Sequence, residues 1–395
     1  MNTPSLRFKE FSGEWKEISL SEIAKLSKGK GVSKASVVEN GAFKCVRYGE
    51  LYTKYKEKIT EVNNFTSDDK LIFSERNDIL IPSSGETAVD LATASCIYTD
   101  DKIAIGGDIN IIKTKENGLF LSYSLNNKYR NEIAKLSQGI SVIHLYNSHL
   151  KELKIKTPSL EEQNKIAMFL SLVDKRIELQ EDKIGKLERY KKGMMQKVFS
   201  QGIRFKDYAG IEYPEWENGK LKKFIIQCSI KNKENKNYQI LSVTNKEGFI
   251  LQSDYFDKRV ASTNLNNYKI INRNNFAYNP SRINVGSIAL LKEYDNGVLS
   301  PMYTVFKTNL DPDFLNYFTN THSFKEGIKR YLIGSVRQSL SFKDLGLLQI
   351  SVPIISEQKR ISKFLSIIDF KIEKERELFS NLTQLKIGLL QQMFV

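Results

Sequence analysis

Apolar residues recur along two stretches of the chain in alternating steps of four and three. In the first, Ile166, Leu170, Val173, Ile177, Ile184, Leu187, Met194 and Val198 form a stripe that only Gln180 and Lys191 interrupt. In the second, Ile361, Leu365, Ile368, Ile372, Phe379, Leu382, Leu389 and Met393 do the same, with Glu375 and Lys386 at the matching interruptions. A 4-3 spacing is a coiled-coil seam, and polar residues within a seam fix its register. Each stretch predicts a helix of about 33 residues or more, roughly 50 Å long. Ser159 and Glu162 after Pro158 form a capping-box pattern for the first helix, and Ser356 is a weaker cap for the second. Neither stripe can be buried alone. The two helices are therefore expected to pair with each other, antiparallel, rather than each packing only on its own globular domain. Gly193 and Gly388 each cost about 1 kcal/mol in a helix interior, which marks them as points of close helix approach or as frayed ends.

The stripes belong to a longer duplication. Residues 158–199 and 353–394 align without a gap, 195 positions apart. Glu162-Gln163 matches Glu357-Gln358, Phe169-Leu170-Ser171 matches Phe364-Leu365-Ser366, and Asp174 matches Asp369. The starts of the copies match as well: "RFKEFSG" then Glu14-Trp15 against "RFKDYAG" then Glu215-Trp216. The chain is thus two copies of one unit, near 7–200 and 204–395. Their middles have diverged, although "RNDILIPSSGET" (76–87) faintly echoes "RNNFAYNPSRIN" (273–284). Shared frames with different contents fit one kind of act performed on two different targets.

The remainder of each copy reads as mixed α and β. "DKIAIGGDINIIKTK" (101–115) and "GVLSPMYTVFKTN" (297–309) are rich in β-branched and aromatic residues and predict strands. "FLSYSLNNKYRNEIAKLSQG" (120–139) and "DFLNYFTNTHSFKEGIKRYLIG" (313–334) predict helices ending in glycine.

Composition narrows the function classes. The 395 residues are 41% hydrophobic with 22 Phe and 18 Tyr, a folded chain rather than a disordered one. No apolar run is long enough to span a membrane, and the N-terminus has no apolar signal core, so the expected location is the cytoplasm. Lys and Arg number 60 against 46 acids, a net charge of +14. That excess favours a polyanionic partner, because basic side chains release counterions from phosphate backbones. It is spread over the chain and is largest in residues 204–352, with 21 basic and 14 acidic groups.

Catalytic constellations are missing from the sequence. There is no GxxxxGK[ST] phosphate loop. "YNPSR" (278–282) superficially matches an adenine-methyltransferase signature, yet Ser281 and Arg282 stand where that chemistry needs a second proline and a stacking aromatic. "IAIGGDIN" lacks dinucleotide-binding spacing and reads as a turn. Cys45, Cys96 and Cys228 are far apart, and His144 and His149 read as structural or surface groups, so no metal site is expected. A basic chain with two divergent binding-sized domains and no catalytic set reads as a recognition protein rather than an enzyme. A coiled-coil scaffold carrying two protein- or RNA-binding domains is the alternative.

Two copies of a globular unit, each closed by a helix opening "P-x-x-x-E-Q-x-x-I-x-x-F-L-S-x-x-D-x-x-I", resemble the specificity subunit of type I restriction–modification systems. "EEQNKIAMFLSLVDKRI" and "SEQKRISKFLSIIDFKI" carry the resemblance, which covers essentially the whole chain. The resemblance implies an α+β fold: two tandem mixed α/β target recognition domains separated by two long conserved helices that pair as an antiparallel coiled coil, pseudo-twofold overall. The corresponding segments are 1–157 and 204–352 for the recognition domains, and 158–203 and 353–395 for the spacer helices. The resemblance further implies that each domain reads one half of a split, asymmetric site in double-stranded DNA. The helices set the gap and dock two methyltransferase (modification) subunits, which restriction motor-nuclease subunits join. S-adenosylmethionine, ATP and magnesium belong to those partners, and no cofactor to this chain. The residues expected to pair the helices or meet partners are Ile166, Leu170, Val173, Ile177, Ile184 and Leu187, with Ile361, Leu365, Ile368, Ile372, Phe379 and Leu382.

Base edges are read by side chains with paired donors and acceptors, and phosphates by Lys and Arg. In the first domain Lys28, Lys30 and Lys34 lie between glycines on an expected loop, and Ser83, Ser84 and Thr87 belong to a short polar loop suited to a groove. In the second, Lys231 and Lys233 lie on a basic loop, Arg282 and Asn284 stand at the place matching that groove loop, and Arg337 and Gln338 can make bidentate base contacts. Their first-copy counterparts are Val142 and Ile143, so the two copies cannot read alike there.

Overall fold

The computed structural model describes residues 2–139, 142–245, 247–255, 264–332 and 338–395. It divides into two compact units, Met1–Glu181 with Glu377–Val395, and Asp182–Arg376. Each long helix is divided between the units. The central helix runs Leu160–Phe199 over 40 residues and the C-terminal helix Ile355–Met393 over 39, both longer than the seam pattern required.

In the first unit, strands Ala24–Lys28, Ile109–Thr114, Ile79–Pro82, Ser95–Ile97 and Lys58–Ile59 form one five-stranded sheet in that order. Val37–Val38, Phe65–Thr66, Phe43–Val46, Ile103–Ile105 and Phe73–Ser74 form a second. An antiparallel ribbon pairs Lys16–Ser19 with Lys154–Thr157. The second unit repeats this plan with four strands per sheet. Ile225–Cys228, Thr304–Thr308, Phe276–Tyr278 and Ile288–Leu290 form one sheet, and Gly248–Leu251, Ile240–Thr244, Asn296–Leu299 and Lys269–Asn272 the other. Its ribbon pairs Glu217–Lys220 with Gln349–Val352. The mixed α/β reading of each copy is borne out. So is the faint echo in the middles: Asn77 and Asn274 both take positive φ (78° and 64°), and Arg76–Asp100 and Arg273–Asp295 both pair at 2.9 Å.

The expected helices of the middles are each broken in two. The first becomes Gly118–Asn127 and Arg130–Leu136, and at its break Asn126 and Asn127 donate side-chain N–H groups to the carbonyls of Ala94 and Leu390. The second becomes Pro312–Thr319 and His322–Lys329, because the Thr321 hydroxyl caps a new helix at Phe324 N. The first pair ends at Leu136 under Ser137, not at a glycine. Gly334 lies outside the described residues.

Within the second unit the two long helices run antiparallel: Lys183 pairs with Glu375 at 2.6 Å, Arg376 with Glu188, and Lys191 with Asp369. Leu187, Met195 and Val198 of the central helix share one core there with Ile361, Leu365, Ile368 and Ile372 of the C-terminal helix. In the first unit the core holds Ile166, Ala167 and Leu170 beside Leu389, Met393 and Phe394. Each unit therefore takes its last apolar layer from the far end of the other copy's helix. Of the remaining seam positions, Ile177 is buried, and Val173, Ile184, Met194, Phe379 and Leu382 are half-buried.

Three details of the helices correct the sequence reading. Glu162 N meets the Ser159 hydroxyl at 3.4 Å, but the Glu162 carboxylate turns to Arg7, so the capping box is half made. Ser356 lies inside its helix and caps nothing. Gly193 and Gly388 mark neither close approach nor fraying: a Cβ on Gly193 would meet nothing within 4 Å, and one on Gly388 only Gln392 Nε2 at 4.0 Å.

Candidate nucleic-acid interface

The repeated sequence words close each unit around the start of a long helix. Arg7 donates to both Glu162 oxygens, as Arg204 does to both of Glu357. Gln163 Oε1 accepts from Asn117 N at 3.1 Å, and Gln358 Oε1 from Asp311 N at 2.8 Å. Phe8 packs edge-on against Phe169, and Phe205 tilts against Phe364. The frame is thus the same twice, and the surfaces it holds up can differ.

One edge of each unit is built alike. In the first, Leu145 N donates to Ser83 O at 3.0 Å, and residues 143–144 pair antiparallel with Ser84–Gly85. In the second, the equivalent bond runs from Leu340 N to Pro280 O at 3.0 Å; Gln338 lies two residues before Leu340, and Arg282 and Asn284 follow Pro280. Arg282 precedes the short 3-10 turn Ile283–Val285, and the side chains of Arg282, Asn284 and Gln338 are exposed. Arg337 lies outside the described residues. Lys231 and Lys233 are exposed elsewhere, on the loop that Asn232 ties to Tyr268 and Lys236. Burial, and Lys231 beside it, hold the neighbouring Lys269 ammonium below the ordinary lysine range.

In the first unit the lysine loop is anchored. Gly29 lies so close to the turn at Ile105–Gly107 that a Cβ would sit 2.1 Å from Gly106 O. Lys30 N donates to Ile105 O at 2.9 Å, and Gly107 N to Gly31 O at 3.1 Å. Lys28, Lys30 and Lys34 project from this backbone, exposed. Lys28 Nζ lies 3.7 Å from Asp108 Oδ1, and the same oxygen is 3.3 Å from Ser84 Oγ. The structure thus brings Lys28 and Ser84 together through Asp108.

The polar loop at Pro82–Thr87 is not the open groove-facing loop the sequence suggested. Ser83 and Ser84 are buried at 4% and 8% exposure, because pairing with residues 143–144 covers them. Thr87 is exposed, but its hydroxyl caps the short helix Ala88–Leu91. What this edge does present was missed in the sequence: Tyr146, half exposed, with His149 edge-on at 5.7 Å and His144 at 6.1 Å. The string "HLYNSH" was the available signal.

Ser84, His144 and Asp108 meet, yet not as a hydrolytic triad. Ser84 Oγ lies 3.1 Å from His144 Nδ1 and accepts no orientation from the acid through the imidazole, since Asp108 touches the serine itself. A general base needs its carboxylate on the far ring nitrogen. Among the described residues, no group of three or more His, Cys, Asp or Glu side chains could hold a metal ion. No described helix is long and apolar enough to cross a membrane.

The model of the type I restriction modification DNA specificity domain matches residues 12–189 and again 214–384. The chain belongs to that family. Among specificity subunits of Methanocaldococcus jannaschii, it is 27% identical to that of the type I restriction enzyme MjaVIII, over 94% of this chain and 91% of the relative. It is 30% identical to the putative MjaX specificity subunit, over 67% and 64%. The crystal structure of the S subunit of the type I system from M. genitalium shares the fold at a TM-score of 0.61 and 17% identity, covering 100% of this chain and 99% of that one. A chain from a solved type I system, described for complex assembly and conformational transition, shares it at 0.55 and 14%, covering 96% and 97%. As a DNA specificity subunit the chain is a recognition protein, and the tandem, mixed α/β architecture with two long helices is that of its family.

Proposed function

We propose that the first unit reads one half of a bipartite, asymmetric site in double-stranded DNA and the second unit the other half. The observation that carries this is the pair of like-built edges with unlike side chains: Lys28, His144 and Tyr146 on one, Arg282, Asn284 and Gln338 on the other. Equivalent backbones that present different donors read different sequences. The +14 charge supports a phosphate-bearing partner.

The long helices set the gap between the halves and dock two methyltransferase subunits, which restriction motor-nuclease subunits join in the cytoplasm. S-adenosylmethionine, ATP and magnesium act in those subunits, and this chain carries out no chemistry of its own. At 40 residues the central helix is about 60 Å long, a length suited to separating two contacts along a duplex. The test is to sequence methylated adenines in cells carrying this gene with its cognate methyltransferase gene. We expect one two-part motif with a constant gap. Methylation without such a motif, or methyl transfer by the purified chain alone, would overturn the proposal.

A further inference from the structure

In the first unit Lys386 stands at a junction of four chain segments. Its ammonium lies 2.8 Å from Asp174 on the central helix and 3.1 Å from Glu57, just before the strand Lys58–Ile59. It also sits 5.6 Å from the ring centre of Tyr123, whose hydroxyl donates to the other Asp174 oxygen. The lysine, Glu57 and Asp174 side chains are only 14–16% exposed. In the second unit Lys191 pairs with Asp369 and lies 5.5 Å from the Tyr317 ring, and Tyr317 donates to Asp369 at 2.8 Å. Lys191 and Lys386 are 195 positions apart, as are Asp174 and Asp369. The second junction has no counterpart of Glu57 among the described contacts and is more open, at 28% and 39% exposure.

The apolar contacts around each junction are non-directional and tolerate sliding. A lysine enclosed by carboxylates and a tyrosine is not tolerant: moving the helix against the domain body strands charge away from water. The two lysines are also two of the four polar residues that interrupt the hydrophobic seam. A seam lysine costs stability, so its place calls for a role.

We infer that Lys386 and Lys191 are positioning residues, each on the helix of one copy and each fixing the recognition body of the other copy. Lys386, from the second copy's helix, orients the first reader; Lys191, from the first copy's helix, orients the second. The junction with Glu57 holds more firmly. This rests on the reading that each unit recognises one half-site.

The test uses the full chain with its methyltransferase subunits, and the methylated adenines of the host genome as probe. Lys386→Met and Lys191→Met are expected to relax opposite halves of the motif, each lowering base discrimination in its half by about tenfold or more. Lys386→Arg should restore discrimination, and Lys386→Met should do more damage than Lys191→Met. Relaxation of the same half by both, or of both halves equally, overturns the inference. If a variant abolishes methylation, hydrogen exchange of the purified full chain decides. Faster exchange for Lys386→Met confined to residues 2–139 sustains the inference, and acceleration across both units overturns it. A wild-type methylation pattern without two halves would instead sink the reading beneath it.

Discussion

The Arg7 guanidinium grips Glu162 with two hydrogen bonds, Nε to Oε1 at 2.8 Å and Nη2 to Oε2 at 2.7 Å, while Glu162 itself is almost wholly buried. Arg204 repeats the grip on Glu357 at 3.0 and 3.1 Å, but there the Trp216 indole N–H also donates to Glu357 Oε2. The corresponding Trp15 Nε1 makes no hydrogen bond. Removing one partner of a buried pair leaves the other charge stranded. Arg7→Ala should therefore destabilise the first unit by about 3 kcal/mol or more. Arg204→Ala should cost the second unit less, since Glu357 keeps a donor. Denaturant unfolding of the two variants measures the difference.

Gly193 and Gly388 sit inside long helices with open space where a side chain would go. Replacing either with alanine should stabilise the chain by roughly 0.5–1 kcal/mol, because glycine loses more backbone freedom on folding. The readout is the midpoint of thermal unfolding. No gain, or a loss, would mean that an unseen neighbour approaches these positions.

Thiol chemistry should separate the three cysteines. Burial, aided by Glu50, pushes the Cys45 thiol up to about 11, and burial, aided by Asp78, pushes Cys96 up to about 12. Cys228 is half exposed. At pH 8 a thiol reagent should label Cys228 first, with the other two protected until unfolding. Both buried thiols have folded values above the unfolded value of 9.0, so their contribution to stability is full below pH 9 and is lost as pH rises towards 12. Counting labelled cysteines by mass spectrometry across that range checks both statements.

Ile177 and Ile372 are buried in the long helices. Ile177→Asp or Ile372→Asp places an unpaired charge there and should cost about 3 kcal/mol. We expect loss of assembly with methyltransferase subunits, measured by size-exclusion chromatography, ahead of any change in the DNA motif. An altered motif with assembly intact would contradict the division between frame and readers.

The frame was legible in the sequence because its contacts recur. Glu162-Gln163 and Glu357-Gln358 stand out as words since each pair closes its unit by the same two contacts, to an upstream arginine and to a helix start. Lys191 and Lys386 were visible as seam interruptions, but not their partners. Tyr123, Asp174 and Glu57 meet Lys386 only through the tertiary fold. The polar loop at Pro82–Thr87 misled for a similar reason. Serine is neutral as to burial, and what covers Ser83 and Ser84 is a strand 60 residues away in sequence. Tyr146 carries no charge and so gives no signal in a basic-residue pattern, yet an exposed aromatic between two histidines is equally apt for a nucleic-acid edge.

Helix length offers the sharpest test of the spacer-and-reader division. Seven residues inserted near the middle of each long helix keep the 4-3 seam in phase and add about 10 Å, or roughly three base pairs of duplex. The methylated adenines of cells carrying this variant with its methyltransferase subunit are then sequenced. We expect both half-sites unchanged and the gap longer by about three base pairs. An unchanged gap, or half-sites that differ from the wild type's, would contradict it.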